Sequence, residues 1–322
     1  MTTKPKRSAF SKYAWFALFY NVVVILWGVF LRASHSGDGC GQHWITCGGE
    51  AIPSAPELKT VIEFSHRVTT MIAGFVVIAL VIWAFKATAK GHIVRKMAVW
   101  SFIFILVEGA LGGGLVLTGN VAGNWTPERP YWTAGHLINT FILVAYLALT
   151  AWYSEGDRKP VRAFGGKAFW LIAAGVMAIF ITGISGSMAA LTNMLFPSAT
   201  IAEGIAKDFA PDSHILLRLR ILHPILSIFT AIFLVFISGW IKRMSGEDRV
   251  TAWWSNALAM LVMLQIAFGA ATLLMLAPIV MQLGHLLLAD LVWIAFVLMA
   301  AAYLSSSNTA SAVDQSPNPD AI

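Results

Sequence analysis

Four of the eight histidines in this 322-residue chain, His66, His136, His223 and His285, fall near one end of long apolar runs, at matching depth. An ionisable side chain inside such a run is costly and usually functional. One alone reads as a satisfied polar group, but four at equivalent depth read as ligands. Neutral imidazole is a standard axial ligand of heme iron. Two imidazoles on neighbouring helices can face each other across a porphyrin, which pairs His66 with His136 and His223 with His285. Zinc would recruit carboxylate or thiolate partners at short spacing, and only Glu63, three residues before His66, stands so close. His35, His43, His92 and His214 fall in connections and read as surface polar residues.

The elements that must position these histidines follow from composition. The chain is 58% hydrophobic and 12% charged, with mean hydropathy +0.73, whereas a soluble domain carries about 25% charged residues. A bilayer is the natural solvent for such a chain, and each crossing helix needs roughly 20 apolar residues. Eight runs qualify, near 13–33, 64–85, 96–118, 132–153, 168–190, 219–241, 252–276 and 280–304. They are continuous rather than alternating, which excludes a barrel of strands. Only Ala277-Pro278-Ile279 separates the last two runs, which predicts a tight hairpin. The expected fold is all-α: a polytopic membrane protein of eight transmembrane helices in two pseudo-symmetric four-helix bundles. The two halves are 1–155 and 156–304, and 305–322 is expected to be a disordered cytoplasmic tail.

Basic residues set the orientation. Lys4, Lys6, Arg7 and Lys12 precede the first run; Lys86, Lys90, Arg95 and Lys96 follow the second. Arg158, Lys159, Arg162 and Lys167 follow the fourth, and Lys242, Arg243 and Arg249 the sixth. With eight spans these fifteen of the 22 basic residues share one side, and both termini are expected in the cytoplasm. The net charge of +6 is thus a topology signal and points to no nucleic acid. With no cleavable signal or transit segment evident, the expected location is a bacterial plasma membrane. The histidines then lie near the outer ends of the second, fourth, sixth and eighth spans.

The halves echo each other. His66 and Trp83 lie 17 apart, as do His223 and Trp240. A shift of 157 also carries Glu108 onto Gln265, Ala110 onto Ala267 and Gly112 onto Gly269, and a shift of 149 carries Gly135-His136 onto Gly284-His285. An even number of helices per half keeps both in one orientation, about an axis along the membrane normal.

Other residues support the histidines. Arg32, Arg67, Arg218 and Arg220 lie on the outer rim, against the basic trend. They either snorkel or meet anionic heme propionates, and four on one rim favour the second. Gly109 to Gly114 and Gly183-Ile184-Ser185-Gly186 serve helix packing or leave room for a flat macrocycle. Glu108 and Asp290 are acids within apolar runs, and both stay outside the primary site; Glu108 is a proton or packing group. Cys40 and Cys47 lie in the first outer loop. An oxidising compartment favours a structural disulfide there, and a labile redox pair is the alternative. Only the first half has an acid beside its histidine, which makes it the better reactive site.

Glu63-x-x-His66-Arg67, cysteines seven apart in the outer loop and four span-end histidines in two repeats resemble the heme A synthase family. The resemblance runs from Trp27-Gly28 through His285. Pro224 after His223 departs from the common His-Arg pattern, leaving Arg218 or Arg220 as the propionate partner. The resemblance implies oxidation of the C8 methyl of heme O to a formyl group, giving heme A for terminal oxidases, by successive hydroxylation and dehydration. It implies that His66 and His136 flank the heme O substrate, that Glu63 assists the chemistry, and that His223 and His285 ligate one heme b. Heme O synthase, an electron donor and a second copy of the chain are the expected partners. The competing readings are a diheme b-type cytochrome that relays electrons and, further off, a heme transporter or chaperone.

Overall fold

The computed structural model describes residues 7–156, 158 and 165–313. Lys4, Lys6, Lys159, Arg162 and the end of the tail, 314–322, lie outside the described residues. The helices are α1 (Ala9–Ala33), α2 (Leu58–Ala87), α3 (Ile93–Leu117), α4 (Arg129–Tyr153), α5 (Gly166–Leu195), α6 (Ile201–Phe209), α7 (Ile215–Arg220), α8 (Leu222–Met244), α9 (Arg249–Leu274) and α10 (Ile279–Val313). Eight segments are long and apolar enough to cross a membrane, with α7 and α8 together forming the sixth. Among the described residues no strand forms beyond one isolated bridge, Cys47 to Glu50.

Several helix ends differ from those expected, each for a local reason. Helix α2 starts at Leu58, because the mixed turn Leu58-Lys59-Thr60 continues the helix beyond the long apolar run. The sixth span breaks at Ile221, between α7 and α8. Pro224 has no N–H for the carbonyl four residues earlier, which weakens the helix there. The unexpected α6 is amphipathic; Thr200 Oγ1 caps its Glu203 amide at 3.1 Å. Helix α10 passes the expected end at 304 and continues to Val313. The α9–α10 hairpin is tight, with Leu276 and Ala277 at φ 58° and 52°, and Gln282 Nε2 donates to the Ala277 carbonyl at 2.7 Å.

Helix α1 packs against α2 and α4, and α3 bridges α2 and α4. In the second half α8 lies between α5 and α9, and α10 packs on α9. The two sets meet through α10 on α4 and α1, and through α4 on α5. The best-buried side chains concentrate on α10, from Val292 to Tyr303, and on α4, from Phe141 to Tyr153. At this seam the Trp293 indole donates to the Phe141 carbonyl at 2.8 Å, and the two rings stack with centroids 5.7 Å apart. Large apolar side chains such as Phe75, Phe229, Ile232 and Met263 face outward, where lipid satisfies them as water cannot.

Opposite the histidine end, Arg7 pairs with Glu155 at 2.6 Å, and Trp15 Nε1 donates to the same carboxylate at 2.7 Å. The basic N-terminal segment is thereby tied to the basic connection after α4.

Candidate functional site

The loop between α1 and α2 is fastened to α2 by the residues singled out in the sequence. Cys40 and Cys47 form a disulfide with Cα atoms 4.4 Å apart, and both are buried. The Cys40 amide donates to Glu63 Oε2 at 2.8 Å. Arg67, one turn along α2, forms an ion pair with Glu63. Its Nη1 also donates to the carbonyls of Trp44 at 3.0 Å and Thr46 at 2.9 Å, and to that of His43. One arginine thus satisfies three loop carbonyls and a buried carboxylate, and the loop becomes a lid fixed over the helix that carries His66. The Trp44 ring enters the notch at Gly113, where a Cβ would stand 2.3 Å from it. Part of the glycine run of α3 therefore receives the lid's tryptophan.

Each candidate ligand rests on a glycine of a neighbouring helix. A Cβ on Gly28 of α1 would stand 3.0 Å from His66 Cε1. On Gly186 of α5 it would stand 2.8 Å from His223 Cε1, and on Gly269 of α9 2.8 Å from His285 Cε1. Gly112 of α3 faces His136 Nε2 at a looser 3.9 Å. The odd-numbered spans thus supply bare backbone against which the imidazoles of the even-numbered spans lie.

The His223 and His285 ring centroids lie 6.3 Å apart with planes at 82°. Two metal–imidazole bonds of about 2 Å, plus half a ring on each side, give about 6 Å between axial ligands of one iron. The pair therefore fits a heme iron. Ser185 Oγ contacts His223 Nδ1 at 3.1 Å, which leaves Nε2 for the metal. His285 Nε2 meets Gln265 Nε2 at 3.4 Å, while His285 Nδ1 and Gln265 Oε1 are both buried without a partner. A half-turn of the amide alone turns Gln265 Oε1 toward His285 Nε2 and leaves Nδ1 without a partner. In the first half, His66 Nδ1 is likewise buried without a partner. Among the described residues, no three of His, Cys, Asp and Glu cluster around one point, so the His223–His285 pair suits two-point ligation rather than a tetrahedral cage.

Sequence reasoning left Glu108 outside the site, and the structure brings it in. Glu108 Oε1 lies 2.9 Å from His136 Nδ1, and the carboxylate also accepts from Asn139 Nδ2 at 2.6 Å and Thr140 Oγ1 at 2.5 Å. The available signal was the equivalence of Glu108 with Gln265, since each lies beside the last histidine of its half.

Three of the four rim arginines have partners within the protein. Arg220 binds Asp208 at 2.7 Å, Asn193 Oδ1 at 2.9 Å and the Gly204 carbonyl at 3.1 Å, holding α6 to α7. Arg218 donates to the Pro211 carbonyl at 2.9 Å. Arg67 is committed to the lid. The Arg32 side chain, at the histidine end of α1, has no hydrogen bond or ion pair among the described residues. Of the remaining histidines, His92 and His214 cap α3 and α7 through Nδ1.

Fold and site together define a multi-pass membrane protein with paired histidines at one end of its bundle. The chain belongs to the cytochrome oxidase assembly protein family, which it matches over residues 11–297. It is similar to a heme A synthase of Halalkalibacterium halodurans, 26% identical over 84% of this chain and 89% of that protein. A heme A synthase of Alkalihalophilus pseudofirmus is 26% identical over 86% and 92%. The chain is also 40% identical, over 93% of its own length, to a protoheme IX farnesyltransferase of Thermus thermophilus. It spans only 49% of that relative's length.

Proposed function

We propose that this protein is a heme A synthase, which oxidises the C8 methyl of heme O to a formyl group. The observation that carries the reading is the pair His223 and His285, spaced for one iron, in a chain whose helix-end histidines recur in both halves. Similarity to heme A synthases over most of their length supports it. Similarity to part of a protoheme IX farnesyltransferase supports a partner that farnesylates heme.

The proposed division places the heme O substrate between His66 and His136 and one heme b between His223 and His285. Bound heme O supplies the methyl group to be oxidised, and the heme b supplies a route for electrons. The chain's own residues hold and shield. Glu63, three residues before His66, keeps both oxygens engaged by Cys40 and Arg67. Carrying a proton away would break that brace, so its proposed role is to stabilise positive charge developing at the reacting carbon. The lid of Cys40 to Cys47 excludes water above the first half. Arg32 is the proposed partner of a substrate propionate, and Arg218, with guanidinium donors to spare, serves the second half. Arg67 and Arg220 act by fixing the lid and the α6–α7 cap. The contacts of α1 with α10 and of α4 with α5 exchange under the 157-residue repeat, which supports two equivalent four-helix halves. The basic connections support cytoplasmic termini.

Expression with a supply of heme O and a working electron donor, followed by heme extraction, tests the proposal. Heme A in the extract is expected. Full heme loading without conversion would overturn the synthase and favour an electron-relaying cytochrome.

A further inference from the structure

We infer that Glu108 and Gln265 are paired positioning residues that set the two halves' heme irons at different reduction potentials, lower beside Glu108. The inference rests on the proposed function, in which His136 and His285 are iron ligands. It goes beyond that reading by assigning the acid and the amide a tuning role.

The geometry begins with helix register. Glu108 is four residues before Gly112 on α3, and Gln265 is four residues before Gly269 on α9. Each glycine faces the histidine of the next span, so the residue one turn earlier comes level with that ring. Glu108 meets His136 at 2.9 Å and Gln265 meets His285 at 3.4 Å. The fold thus puts a polar side chain beside the histidine in each half, as a carboxylate on His136 Nδ1 and as an amide on His285 Nε2.

The two partners differ in what they do to an imidazole. A carboxylate accepting from Nδ1–H draws the proton toward itself and makes the other nitrogen a stronger donor, as in carboxylate–histidine–metal arrangements. A stronger donor favours the oxidised metal. The amide of Gln265, at the corresponding helix position, touches the ring but carries no charge. The surroundings sharpen the contrast. Asn139 and Thr140, both on α4, hold the Glu108 carboxylate against His136. Gln265 has no hydrogen-bond partner other than His285 among the described residues. A packing role alone would be served equally by Gln at both places, since an amide can still take part in the bonds to Asn139 and Thr140.

The test is a spectroelectrochemical titration of the purified, heme-loaded full chain, with the signals assigned to halves by His66→Ala and His223→Ala. Glu108→Gln should raise the midpoint of the first-half heme, shifting its reduction equilibrium about tenfold, or 59 mV for one electron. Gln265→Glu should lower the second midpoint by a similar factor, and each change should leave the other half in place. Heme-loaded variants with unmoved midpoints would overturn the inference while leaving heme binding intact. Should Glu108→Gln lose its heme, Gln265→Glu decides alone, and an unchanged second midpoint overturns the inference. A wild-type chain that binds no heme would instead overturn the functional reading beneath it.

Discussion

The Cys40 amide and the Glu63 carboxylate lie 2.8 Å apart across 23 residues of sequence, and this contact makes the disulfide loop and the helix that carries His66 one unit. Arg67 closes the unit from the other side. Two features that looked separate in the sequence, a cysteine pair and a Glu–His–Arg motif, are a single hydrogen-bonded lid.

Arg67→Ala should therefore act on the lid before it acts on heme. It leaves Glu63, 2% exposed, without its counter-charge and frees three loop carbonyls. Removing one partner of a buried pair costs about 3–5 kcal/mol. The expected result is a lowered thermal midpoint in detergent and faster proteolysis between His35 and Glu57, which limited digestion reads directly. Unchanged proteolysis would detach Arg67 from the lid.

The disulfide is expected to be structural. Both sulfurs are buried, so a mild reductant should leave them unmodified by an alkylating agent in the folded protein. Replacing both cysteines with alanine should cost about 2–3 kcal/mol, as for short closed loops. Heme content of the second half should stay unchanged. Rapid alkylation under native conditions would favour a cycling redox pair.

Gly186→Ala offers a test with opposed signs. Alanine normally stabilises a helix by roughly 0.5–1 kcal/mol over glycine. Here its Cβ would stand 2.8 Å from His223 Cε1 and push the ring from its seat. Second-half heme should fall severalfold while helix content holds or rises. Gly28→Ala, with 3.0 Å to His66, should show a milder loss in the first half. Equal loading in both variants and wild type would remove the glycine seats from the account.

Much of this architecture was legible because bilayer physics is coarse. Eight apolar runs and four basic clusters agree on one topology, and a missed span would have scrambled the charge pattern. The polar helix starts were harder. Lys59, Thr60 and Glu63 interrupt the apolar signal of Leu58, Val61 and Ile62, although all six lie on α2. Thr200-x-x-Glu203 is a capping pattern readable in the sequence, but α6 is too short and too polar to register as a span. The histidines were legible from the repeat, whereas their partners were not. Glu108 and His136 are 28 residues apart, and only the packing of α3 on α4 brings them together. Arg67 shows a different limit. A guanidinium suits a propionate and a protein carboxylate equally, and Glu63 at i−4 was the signal that the protein itself is the partner.

The assignment of halves has its own test. His223→Ala should deplete b-type heme more than His66→Ala, as measured by pyridine hemochrome spectra of the two purified variants. The reverse order would exchange the roles of the halves.

The most direct measurement of the central claim is the Soret absorption of the purified, folded chain after reconstitution with heme. Paired imidazoles on neighbouring spans predict a strong band with low-spin features from two hemes, halved in His223→Ala. A well-folded sample with no Soret band would contradict the account outright.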